Sequence, residues 1–171
     1  DHAAKQVRMH GYPPNAFALP MARVLGPVAA WLETGDAYLI HAARAVAETA
    51  YWTHKNSWPR MAVGRDACFI RGLVFLYRYL GETYYRDLAR DAILDVAASQ
   101  RPDGSFGDQG GGSGIHQWGG YVIKPWMGLM AIGGALDYLE FFPDDETALG
   151  IVRRFADWMM AERQDRGGVQ G

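Results

Sequence analysis

The chain has a single cysteine, Cys68, which excludes an internal disulfide framework and any cysteine-rich zinc site. It has no positively charged start followed by an apolar run, and no apolar stretch approaching the ~18 residues of a membrane span. No export signal or membrane span is visible in these residues, which open on Asp1 without an initiator Met and so need not include the true N-terminus. It also lacks a basic excess. With a formal net charge of -2 and its lysines and arginines scattered, it offers no footprint for a phosphate backbone, which argues against a nucleic-acid module. What remains is a chain of 171 residues, 49% hydrophobic and 21% charged, enough for one good core and hence one globular unit over 1–171.

Apolar residues recur at helical spacing in six segments, roughly 20–33, 36–53, 63–80, 83–99, 121–142 and 144–163. Thr34-Gly35-Asp36 stops the first, with Asp36 placed to cap the second. Leu80-Gly81-Glu82 separates the third from the fourth, and Phe142-Pro143-Asp144-Asp145 the fifth from the sixth. The expected fold is all-α, three antiparallel helix hairpins. The hairpins resemble one another: ETGDAYLIHAARAV aligns with YLGETYYRDLARDA, with Gly35 on Gly81, Tyr38 on Tyr84 and Ala43 on Ala89, 46 residues apart. The third pair aligns more loosely, with Pro143 at the turn glycine and Asp157 opposite Asp95. Related tails, ASQRPDGSF and ERQDRGGV, follow the second and third pairs.

Hairpins with a Gly-Asp/Glu-x-Tyr turn, alanine-rich return helices and a Gln-x-x-Asp-Gly-Ser-Phe exit resemble the repeats of six-hairpin α/α toroids. That class includes glycoside hydrolases, polysaccharide lyases and sugar epimerases, as well as terpene cyclases and protein prenyltransferases. Gln100, Asp103, Gly104 and Phe106 are similar to the glutamine–tryptophan repeat of the cyclases, with Phe in place of Trp; in that family the motif is structural. Three hairpins are about half a toroid by this resemblance, so the chain is expected to be a fragment of a longer polypeptide or a piece that closes against another copy. Homodimerisation and a missing second half are the two covers for the apolar flanks a half ring exposes. The terpenoid branch is disfavoured, because no Asp-Asp-x-x-Asp or Asp-x-Asp-Asp motif is present and Asp-Asp-Glu-Thr sits at the wrong end.

The connections are asymmetric. Turns inside hairpins are short, whereas HGYPPNAF, YWTHKNSWPRMAVGRD and QRPDGSFGDQGGGSGIHQWGGYVIKPW are long and gather at one end of an up-down array. Helix N-termini aim at the same end and favour anionic groups. Beyond residue 52 the loop cations Lys55, Arg60, Arg65, Arg101 and Lys124 outnumber Asp66, Asp103 and Asp108 by five to three, a hint of a uronate or otherwise anionic substrate. The glycines of GDQGGGSG permit close approach of backbone to a ligand, with a mobile lid and a disordered linker as the competing readings.

The expected function is therefore that of a carbohydrate-active enzyme, glycoside hydrolase-like, acting on an oligo- or polysaccharide. Asp66 and Asp108 are the carboxyl pair that hydrolysis needs, one as acid and one as base or nucleophile. Asp66 equally suits a first-turn carboxylate that complements the helix dipole. His116 is the candidate general acid or base, or a hydrogen-bond partner for sugar, and His54 follows it. In a lyase, Arg60, Arg65 or Lys124 would neutralise the uronate while His116 or Tyr121 abstracts the α-proton. Trp58 and Trp118 fit platforms for pyranose faces, whereas Trp31, Trp158 and the methionines fit the core. The histidines and Asp108 lack a recognisable metal spacing, so neither a metal nor another cofactor is expected. A helical repeat scaffold that holds a protein partner through the same loops is the non-catalytic alternative.

Overall fold

The computed structural model describes residues 23–57, 67–106 and 125–165. The described residues form six helices and no strand: α1 (Leu25–Thr34), α2 (Ala37–Ser57), α3 (Phe69–Leu80), α4 (Thr83–Ser99), α5 (Pro125–Leu139) and α6 (Glu146–Asp165). None is long and apolar enough to cross a membrane. Each odd helix packs on the even helix that follows it, α1 on α2, α3 on α4 and α5 on α6, so the all-α hairpin arrangement holds.

The turns explain why the hairpins fold back. Gly35 and Gly81 both follow a helix in the left-handed conformation, each at φ 69°, and their N–H groups close onto Trp31 and Tyr77. An L side chain is strained there, which is why the two turns share glycine. Asp36 caps α2 through its carboxylate, which accepts from Tyr38 N–H at 2.9 Å, and Asp145 does the same for Ala148 N–H at 3.0 Å. Glu82 departs from this pattern. It stands at the start of α4 without capping it, and its carboxylate instead holds the guanidinium of Arg44 in a bidentate pair.

Neighbouring hairpins are joined by two kinds of seam. Along the odd helices the seam is tight: a Cβ on Gly72 would lie 2.7 Å from Val24 Cγ2, and one on Gly134 would lie 2.8 Å from Ile70 Cβ. The glycine pair of α5 thus gives up helix propensity for close packing. Arg71–Asp137 and Arg78–Glu140 run beside that contact. Along the even helices the seam between α2 and α4 is polar, described below. Between α4 and α6 it is the Gln100 turn, in which Gln100 Nε2 donates to the carbonyls of Gly104 and Ile151 while its Oε1 accepts from Arg154 Nε.

The core lies between these layers and includes Leu73, Leu76, Tyr85, Ile93 and Ile151, all fully buried. Trp158 is buried as expected, Cys68 is buried too, and Trp31 packs on the core from its edge. Met160 is a correction to the reading of the methionines as core filler: it is exposed, because its position on α6 turns away from α5.

Candidate functional site

The last two turns of α2 and α4 carry a cluster of five polar side chains. Tyr51 and Lys55 are one helical turn apart on α2, and Asp91 and Asp95 are one turn apart on α4. Tyr51 hydroxyl donates to Asp91 Oδ2 at 2.7 Å, and Lys55 Nζ reaches the same oxygen at 2.9 Å and Asp95 Oδ2 at 2.7 Å. His54 Nε2 lies 2.9 Å from that Asp95 oxygen. A carboxylate can only accept, so Nε2 carries the proton and donates it. The cluster continues toward the helix N-termini as Tyr85 hydroxyl to Glu48 at 2.8 Å and Arg44 Nη1 to Glu82 at 2.8 Å. The partners stay 36 to 41 residues apart throughout, as only parallel helices in register permit.

Environment sets the charges. His54 is 2% exposed and packs against the Phe69 ring, with centroids 5.2 Å apart. Burial holds its pKa below the ordinary histidine value against the opposing pull of Asp95, so the imidazole is neutral at pH 7. Burial also works against the charge of Lys55, but Asp95 and Asp91 outweigh it and hold the ammonium above its usual pKa. Asp91 is correspondingly lowered, its partial burial being overcome by Lys55 and Tyr51. Tyr51 is pushed up to about 12 by burial and by Asp91, so it keeps its proton. At neutral pH the cluster is one ammonium between two carboxylates, with a neutral imidazole oriented by one of them.

Asp95 orients His54 as a carboxylate orients a general base. The same bonds fasten α2 to α4 at the end from which both long connections leave. Beside the cluster, Trp52 is half exposed and packs edge-on against the Tyr51 ring, with centroids 5.0 Å apart. Among the described residues, no three His, Cys, Asp or Glu side chains gather in a way that would hold a metal ion.

Of the residues singled out from sequence, His54 is described and sits in this cluster; Lys55, expected among the loop cations, lies instead within α2 with its ammonium held by Asp91 and Asp95. Asp66, Asp108, His116, Trp58, Arg60, Arg65, Trp118, Tyr121 and Lys124 lie outside the described residues. Sequence reasoning did not select Tyr51, Asp91 or Asp95. Their signal was the matched i, i+4 spacing of Tyr51/Lys55 and Asp91/Asp95 on two repeats. No protein-family model, curated protein or solved structure matches the chain.

Proposed function

We propose that the chain is part of an α/α-toroid carbohydrate-active enzyme, glycoside hydrolase-like, that acts on an oligo- or polysaccharide, uronate-containing chains being among the candidate substrates. The observation that carries this reading is the parallel register of successive hairpins, which brings the connections following α2 and α4 out at one end, beside the His54–Asp95–Lys55 cluster. Those connections hold Asp66, Asp108 and His116 as acid and base candidates, and Trp58 and Trp118 as stacking platforms. Arg60, Arg65 and Lys124 add the cations that an acidic sugar would use, with Tyr121 as a further proton-transfer group. His54, being buried, would act by shaping this floor through Asp95, without touching the sugar.

A lyase that works by β-elimination is the close alternative, and the two chemistries leave different products. Hydrolysis creates a reducing end with no new chromophore; elimination creates a reducing end and a double bond conjugated to the carboxylate. A helical scaffold for a protein partner is favoured by one observation, that the described polar cluster is fully engaged in joining helices.

The test is a thermal-shift screen with neutral and uronic oligosaccharides, followed by assays for reducing ends and ultraviolet-absorbing product. The proposal expects a Tm that rises with the concentration of an acidic oligosaccharide, and turnover that is lost in Asp108→Asn. No response to any sugar, together with no product, would leave the scaffold.

A further inference from the structure

The α2–α4 seam also has an outer side. Tyr38, Ala45 and Trp52 follow one another at i, i+7 and i+14 on α2, so they fall on one face, and all three are exposed. From Tyr38 to Trp52 that line runs about 21 Å along the helix. Tyr84 stands on α4 beside its middle, because the register of the ladder places Glu82 opposite Arg44 and Tyr85 opposite Glu48. Tyr38, Trp52 and Tyr84 are 48%, 50% and 45% exposed, values high for side chains of this size in helices that pack closely on others. Ala45 keeps the space between the rings low.

The chemistry around the rings narrows the occupant. Glu48, one turn from Trp52 and close to Tyr84, and the Arg44–Glu82 pair are only partly buried, so hydrogen-bonding groups stand beside these two rings. An apolar protein face laid here would strand these charges away from water. A linear sugar chain would not: its C–H faces stack on aromatic rings while its equatorial hydroxyls need charged and amide-like partners beside them. The length of the line suits a short oligosaccharide laid along the helix.

We propose that the outer face of α2 and α4 is a surface binding track for a linear oligosaccharide, with pyranose faces on Trp52 and Tyr84, Tyr38 further along, and hydroxyls bonded by Glu48 and Arg44. The track rests on the carbohydrate reading of the chain and lies apart from the loop residues that would carry chemistry. It would hold a polymer without cleaving it.

Affinity electrophoresis tests this in native gels cast with soluble neutral or acidic polysaccharide, run beside gels without it, on the wild type, Trp52→Ala, Tyr84→Ala and Asp108→Asn. Circular dichroism checks that each variant keeps its helix content. The expected result is retardation of the wild type and of Asp108→Asn in at least one polysaccharide, with apparent binding about tenfold weaker in Trp52→Ala and in Tyr84→Ala. Retardation that survives both aromatic substitutions would overturn the track and leave the carbohydrate reading standing. Retardation of no variant in any gel would overturn both. Self-association that Trp52→Ala abolishes in the absence of polysaccharide would make the face an interface between copies and sink the sugar track.

Discussion

The charge of His54 depends on whether the chain is folded. Unfolded, its imidazole has the ordinary pKa of roughly 6.5. Folded, burial lowers that value despite Asp95. In the interval between the two values the unfolded chain binds more protons at this site, so stability is present above the ordinary histidine pKa and drains away as the pH falls. Asp91 acts in a separate window: its folded pKa is also lowered, so its contribution persists until the pH drops below roughly 4. Urea titrations from pH 7.5 down to 5 should therefore show wild-type stability falling, and His54→Gln, which keeps a donor for Asp95 without a titrating ring, falling less. His41, which is exposed, and the histidines outside the described residues are common to both proteins and drop out of the difference. Parallel pH profiles would show that His54 is not held neutral by the fold.

At the scale of elements, the turn at residues 100–106 works as a clamp between α4 and α6. Gln100 makes three hydrogen bonds, at 2.9, 3.0 and 2.9 Å, two of them to α6. Gly104 sits at φ 90° with its Cα against Arg154, so close that a Cβ would lie 2.0 Å from the Arg154 carbonyl oxygen. Asp103 accepts from Ser105, and Phe106 is buried against Phe155. Replacing Gln100 by Ala removes all three bonds and should cost about 2–3 kcal/mol, whereas Arg154→Met, which loses one exposed bond, should cost about 1 kcal/mol or less. The double variant should be less destabilised than the sum, since one bond is shared; strict additivity in denaturant titrations would mean the clamp is not formed. This motif was legible in sequence because its code is local: a Gln, an Asp-Gly turn and an aromatic within seven residues. The turn glycines and the Asp36 cap were legible for the same reason, and α4 was placed at 83–99 from periodicity alone. The Tyr51–Asp91 and His54–Asp95 pairs were not, because each partner lies on a different helix 40 or 41 residues away. The same spacing of Asp and Lys fits a solvated helix face until the register between helices is known. Glu82 makes the point from the other side, since its position suggests a cap while its partner Arg44 lies 38 residues earlier.

Across the whole molecule, the two layers of the first two hairpins are spaced differently. Gly72 lets α3 approach Val24 before α1 closely, while long polar side chains bridge α2 to α4. The one seam is closed by a missing side chain and the other is spanned by long ones. Among the described residues, part of the exposed apolar surface forms two leucine stripes. Leu25 and Leu32 are exposed at i and i+7 on α1, and Leu129 and Leu136 are exposed with the same spacing on α5. Water contact at four leucines in two stripes costs roughly 25 cal/mol for each Å² that a partner would cover, enough to favour association at moderate concentration. Light scattering at tens of micromolar should therefore give a mass above that of one 19.0 kDa chain. Leu129→Lys combined with Leu136→Lys should return it toward the single-chain mass with helix content unchanged, because neither side chain is part of the core. A wild type that is already monomeric would show that these stripes tolerate water.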